Sequence, residues 1–267
     1  MKKIFVFLTL AALTMALLTG CTSSMTDADF IANLGKALEA RWAITTSEEY
    51  SDDVLNSMSV SEYQDYCAMV VDTELEVIGN LEDYKFEDAG LKKLAKTYMK
   101  GLELQKEGAQ YQGTDQYDQQ QQTWFLGYDY RAVCMTELCN DYGLTVSEKY
   151  QKSMDDFLAY SATAAKEIAV LDYVDTLTNT LKYTKDEQNS DEELVCYTAA
   201  VENTTDFTIN SMEIVIDFLD ASGDVIYQTS DSLQNLQPGS TVQSSVYYEP
   251  DCGEFASMQY HISAYAG

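Results

Sequence analysis

The sequence predicts an α+β multidomain chain in which an N-terminal helical bundle is followed by an antiparallel β-sandwich. Three observations carry this. From Asp27 to about Val170 apolar residues recur at helical spacing, and after Val170 they recur in short alternating runs separated by turn residues. Hydrophobic residues make up 46% of the chain, enough to build packed cores rather than a disordered polymer. A helical stretch followed by an all-β stretch belongs in separate domains.

The bundle opens with a short helix near Phe30 to Ala43 and a second short one at Glu48 to Asn56. Ser59-Val60-Ser61-Glu62 has capping-box order and predicts a helix from Val60 to Asn80, with the apolar stripe Val60, Tyr63, Cys67, Val70, Val71, Leu75 and Ile78. Leu91, Leu94, Ala95, Tyr98 and Leu102 form the next stripe, with Lys92, Lys93, Lys96 and Lys100 on its outer side. Intramolecular neutralisation by the surrounding acids is the expectation for that lysine face. Tyr117, Trp124, Tyr128, Met135, Leu138 and Tyr142 make a third stripe, stopped at Gly143. Thr145-Val146-Ser147-Glu148 caps a fourth helix, antiparallel to the third because so few residues separate them.

Beyond Val170, Leu177, Leu181 and Tyr183 alternate with polar residues, and residues 185–191 form a polar linker. Strands are predicted at Leu194 to Val201, Ile209 to Leu219, Val225 to Thr229, Thr241 to Tyr248 and Met258 to Tyr265. Asp220, Ser222 and Asp224 have the spacing of calcium ligands. Val225 stands where a helical-type calcium loop needs glycine and Asp231 where it needs glutamate, so a hairpin turn around Gly223 is expected instead. Val201 to Thr205, Ile216 to Asp220 with Gly223, and Leu236-Gln237-Pro238-Gly239 together resemble the FxLYD domain. That resemblance covers about residues 177–267 and implies an immunoglobulin-like sandwich that serves as an accessory or binding module, with no catalytic residue to carry over.

At the other end, Lys2 and Lys3 precede the apolar run Ile4 to Leu17, and Leu18-Thr19-Gly20-Cys21 follows. This is an export signal ending in what resembles the lipobox of bacterial lipoproteins, which implies cleavage before Cys21 and lipid attachment to its thiol. Each buried methylene of the acyl chains contributes about 0.8 kcal/mol, so several chains hold a domain on the bilayer without a spanning helix. The expected organisation is a signal peptide at 1–20, a lipid-anchored tether at 21–28, the bundle at 29–171 and the sandwich at 172–267. Loss of Lys2 and Lys3 takes the formal charge from −28 to −30, which argues against nucleic acid as a partner.

His261 is the only histidine and falls on the polar side of the last strand, which argues against a histidine triad or a multi-histidine zinc site. No catalytic, cofactor-binding or metal-ligating residue is nominated. Tyr130 and Arg131, off the stripe of Trp124 and Tyr128, are the candidate ligand contacts. With Cys21 used for lipid, Cys67, Cys134, Cys139, Cys196 and Cys252 allow at most two internal disulfides, one candidate being Cys196–Cys252. The expected function is that of a lipid-anchored, extracytoplasmic binding or envelope-organising lipoprotein, with the membrane and an envelope polymer or protein as partners. The alternatives are an envelope hydrolase using paired carboxylates of the bundle and a structural spacer.

Overall fold

The computed structural model describes residues 24–266, so the expected signal peptide and Cys21 lie outside the described residues. The chain is α+β, helices first and two small antiparallel sheets after. It divides into two compact units, one ending at Leu158 and the other beginning at Ala159.

In the first unit, α1 (Asp27–Thr45) starts at a capping box, with Thr26 Oγ1 accepting from Asp29 N and the Asp29 carboxylate accepting from Thr26 N at 2.7 Å. A short 3-10 turn leads to α2 (Asp52–Ser57), and α3 (Val60–Ile78) carries the predicted Ser59–Glu62 box before it stops at Gly79, whose φ is +75°. Helix α4 (Ala89–Gly108) is capped by Asp88, whose Oδ1 accepts from Leu91 N at 2.8 Å. Then come α5 (Tyr117–Gln120), a π turn over Gln121–Phe125, and α6 (Leu126–Asn140). α4 and α6 touch backbone to backbone: a Cβ placed on Gly101 would lie 2.5 Å from the Gly127 carbonyl oxygen.

The π turn revises the third predicted stripe. Its extra residue per turn rotates the preceding residues away from the core, leaving Tyr117 exposed and Trp124 only partly covered. Gly143, at φ +71°, stops the chain after α6 as expected. Thr145, expected to cap the next helix, instead runs close to α1, its carbonyl oxygen 2.8 Å from where Gly35 would carry a Cβ. The helix begins through a 3-10 turn at Glu148–Tyr150, and α7 spans Gln151–Thr180.

Helix α7 therefore continues where strand-like alternation was expected. Tyr173, Leu177 and Leu181 are spaced by four, which is a helical repeat, and all three are buried in the core of the second unit. The strands are β1 (Thr184–Lys185), β2 (Val195–Glu202), β3 (Ile209–Leu219), β4 (Val225–Leu236), β5 (Thr241–Tyr248) and β6 (Ser257–Tyr265). They form two antiparallel sheets, ordered β1-β2-β5 and β4-β3-β6. β3 and β5 have the predicted bounds, while β4 runs on to Leu236 because its polar second half still pairs with β3 from Thr229↔Ile216 to Leu236↔Ile209. Val201 and Val246 from one sheet, and Met212, Ile214, Ile216 and Phe218 from the other, join one apolar cluster with the end of α7. The Phe218 ring lies 4.7 Å from Tyr248 and 4.8 Å from Phe255, centre to centre.

The place of Tyr173, Leu177 and Leu181 moves the domain boundary to a point before 172. A fragment beginning at Ala159 is expected to unfold cooperatively and to show helical as well as β circular dichroism. A fragment beginning at Lys182 loses these three core side chains, at about 1.5–3 kcal/mol each, and is expected to be unfolded or nearly so in urea titrations.

Candidate functional site

The most unusual chemistry of the described residues lies inside the bundle. Arg131, nominated above as a ligand contact, is 1% exposed, and Glu74 on α3 is fully buried. Arg131 Nη2 donates to both Glu74 carboxylate oxygens at 2.9 and 3.0 Å, and Arg41 Nη1 on α1 donates to Oε2 at 3.0 Å. The Tyr98 hydroxyl of α4 donates to Glu74 Oε1 and accepts from Arg131 Nη2 at 3.0 Å. Gln105, also on α4, accepts from Arg131 Nη1 through Oε1 at 2.9 Å. The Arg131 guanidinium lies between the Tyr98 and Phe157 rings, 5.2 and 5.3 Å from their centres.

Each of these residues sits on the apolar stripe of its own helix. Trp124, Tyr128, Arg131, Met135 and Leu138 step by four, three, four and three, and Val70, Glu74 and Ile78 step by four. Arg131 is thus on the stripe and not off it, which is why it is buried instead of facing a ligand. Four helices thereby bring one polar cluster to a common point.

Electrostatics fix its protonation. Burial alone would push the Glu74 carboxyl up, but Arg131 and Arg41 together, with the Tyr98 and Arg41 hydrogen bonds, hold it below the usual glutamate range. Burial pushes the Tyr98 hydroxyl up, so it stays a neutral donor. Two guanidiniums share one carboxylate, and Arg131 Nε and Gln105 Nε2 are buried with no hydrogen-bond partner in the structure. Both Glu74 oxygens are engaged and shielded from solvent, so the carboxylate is committed to its partners within the cluster. Its chemistry is that of a structural hub.

Tyr130 is half-buried, and Lys100 Nζ sits 3.9 Å above its ring, so its aromatic face is engaged within the bundle. The neutralisation expected for the rest of that lysine face is not found: Lys92, Lys93 and Lys96 are exposed and make no ion pair among the described residues, whereas Lys106 pairs with Asp72 at 2.7 Å. A groove of about 580 Å³ is lined by Leu55, Met58, Val60 and Tyr63, and shares no residue with the buried cluster.

In the second unit, Asp220 closes the β3–β4 hairpin. Its Oδ1 accepts from Ser222 N at 2.8 Å and Asp224 N at 3.0 Å, with Gly223 at φ +88°. Among the described residues, no group of three or more His, Cys, Asp or Glu side chains converges as a metal site would require. His261 Nε2 lies 2.9 Å from Asp217 Oδ2, and Gln228 Nε2 donates to Asp217 Oδ1 at 2.6 Å, on the sheet face turned away from the apolar cluster. Cys196 and Cys252 are both free thiols, which corrects the candidate disulfide. Cys196 stands opposite Tyr247 on the β2 face away from Tyr197, Ala199 and Val201, whereas Cys252 is exposed in the turn after β5.

Glu74→Gln leaves two buried guanidiniums without their counter-charge and is expected to lower stability by about 3 kcal/mol at neutral pH. Because the folded pKa of Glu74 is depressed, this contribution is present above the ordinary glutamate value of about 4.3 and is lost as pH falls through the folded value. Urea midpoints of wild type and variant should therefore stay apart from pH 7 to 5 and converge in more acidic buffer. A constant gap at all pH values would contradict the charged hub.

Comparison of the chain with family models, with curated proteins and with solved structures finds no match in any of the three, so the functional reading rests on the residues themselves.

Proposed function

We propose that the protein is an extracytoplasmic lipoprotein, anchored to the bacterial membrane through acyl chains on Cys21, that binds or organises an envelope component without turning it over. The observation that carries this reading is the N-terminal sequence: two lysines, an apolar run and Leu18-Thr19-Gly20-Cys21 in succession. The short sequence separation between Cys21 and Met25 agrees with it. Met25 N donates to Asp83 O at 3.0 Å and Met25 O accepts from Lys85 N at 2.7 Å, so the bundle is fastened within four residues of the anchor. No helix among the described residues is long and apolar enough to cross a membrane, and a lipid anchor needs none.

Binding is favoured over catalysis by where the reactive side chains are spent. Glu74 is locked between two arginines, and His261 rests on Asp217 on a solvent-facing sheet surface. For the second unit we propose an immunoglobulin-like sandwich of the FxLYD kind. Asn203, in the Val201 to Thr205 segment that carries the resemblance, supports this. It is wholly buried, donates to Phe207 O at 2.9 Å and Leu236 O at 2.8 Å, and accepts from Thr205 N at 3.0 Å, tying the β2–β3 loop to the end of β4.

Cys21→Ala is expected to abolish incorporation of labelled palmitate and to release the protein from the membrane fraction. Labelling that persists in this variant would overturn the anchor. Retention of an envelope component on the immobilised protein, with the component recovered chemically unchanged, tests the binding role.

A further inference from the structure

Strand β6 is an uncovered edge. It pairs with β3 along its whole length, from Leu219↔Ser257 to Ser211↔Tyr265, without a register shift. No backbone hydrogen bond reaches it from the other side among the described residues. Every second residue of such a strand turns its N–H and C=O away from its partner, a ready template for another strand. The usual protections are missing: Ser-Met-Gln-Tyr-His-Ile-Ser-Ala-Tyr contains no lysine, no acid, no proline and no bulge.

The other strand edges are guarded. Asp231, at an inward position of β4, accepts from Ser244 Oγ at 2.6 Å and from Ser245 N at 3.1 Å, closing β4 onto β5. The free side of β2 is covered by β1 and by the following loop, where Asp186 N donates to Cys196 O at 2.9 Å and Cys196 N donates to Ser190 Oγ at 3.0 Å.

Side chains beside β6 indicate what would pair there. On one face a groove of about 470 Å³ is lined by Ser211, Glu213, Ser232, Ser263 and Tyr265, with Glu213 its only charge. Glu213 is exposed and makes no ion pair among the described residues, and the Tyr265 ring is open to solvent. A cationic side chain would find a carboxylate and a ring face together. On the opposite face Met258, Tyr260 and Ile262 are only partly buried and extend the apolar cluster toward the open edge. A second copy of this chain, carrying the same net charge of −28, is a poor occupant.

We propose that the free edge of β6 takes an extended segment of a partner polypeptide whose side chains alternate basic and apolar, added as a fourth strand to the β4-β3-β6 sheet. The basic residues face Glu213 and Tyr265, and the apolar ones face Tyr260 and Ile262. Backbone pairing supplies affinity and the alternation supplies specificity. This deepens the binding role proposed above and rests on it.

The probe is the decapeptide (Lys-Val)5, titrated calorimetrically into the full chain in neutral detergent, with backbone amide exchange followed at 257–265. The expected result is binding that slows exchange at alternate amides of β6. Ser263→Lys, which places a charge on the edge strand, should weaken it by about tenfold or more, and so should N-methylation of alternate peptide amides. Glu213→Gln should weaken it by about threefold. Equal affinity for the N-methylated peptide would show charge attraction alone, and protection of β6 that rises with protein concentration without peptide would show self-pairing; either overturns the proposal, as does absence of binding. Retention of an envelope component equally by wild type and Ser263→Lys would overturn the edge while leaving the binding role standing. Failure of retention with alternate-amide protection by the peptide intact would count against the envelope role alone.

Discussion

The bundle is organised around one ion pair, the Glu74 carboxylate held between Arg131 and Arg41. Burying three charges carries a desolvation cost of several kcal/mol each, and their attraction offsets it only when the geometry is good and the remaining donors and acceptors are met. Tyr98 and Gln105 meet most of them. A shift of α3 or α6 along its axis by one residue would carry Glu74 or Arg131 off this point and strand a charge in the core. The cluster thus specifies which residues of α1, α3, α4 and α6 lie at the same level, something interchangeable leucines do poorly. The close Gly101–Gly127 approach reinforces it, since a side chain at either position would push α4 from α6 and lengthen the bonds that Arg131 makes to Gln105 and Tyr98.

The second unit solves a different problem. Two three-stranded sheets have four edges, and small domains with open edges tend to join one another. Asp231 uses a carboxylate that points inward from β4 to satisfy a backbone amide of β5, and Tyr183 adds a hydrogen bond to the same Ser244. The β2 edge is covered by local turns around Asp186. Against that background the β6 edge is left bare, beside a groove whose only carboxylate, Glu213, makes no ion pair among the described residues.

Local signals in the sequence survived into the structure because local physics sets them. The Ser59–Glu62 box, the stop at Gly143 and the bounds of β3 and β5 depend on a handful of neighbouring residues. What was not legible depended on partners distant in sequence or on a change of helical pitch. In the sequence Arg131 reads as a ligand contact off the stripe, although its spacing from Tyr128 and Met135 puts it on the buried one, and Glu74 carries no signal of its own; only their mutual presence makes that burial tolerable. The π turn at Gln121–Phe125 has no residue pattern of its own, and it rotated the predicted third stripe. Tyr173, Leu177 and Leu181 fit alternation and helix equally well, and Val174, adjacent to Tyr173 and packed on the same cluster, is the residue that breaks the alternation. The thiols of Cys196 and Cys252 had plausible separation along the chain, yet the strand register placed Cys196 against Tyr247.

Glu74 and Arg131 act as one unit. A double-mutant cycle on stability, with Glu74→Gln, Arg131→Met and the pair, measures this directly. Each single substitution is expected to cost about 3 kcal/mol or more and the double variant about 2 kcal/mol less than their sum, because each single variant strands the other's group. Additive losses would contradict it, and would mean that the two charges are buried side by side without depending on one another.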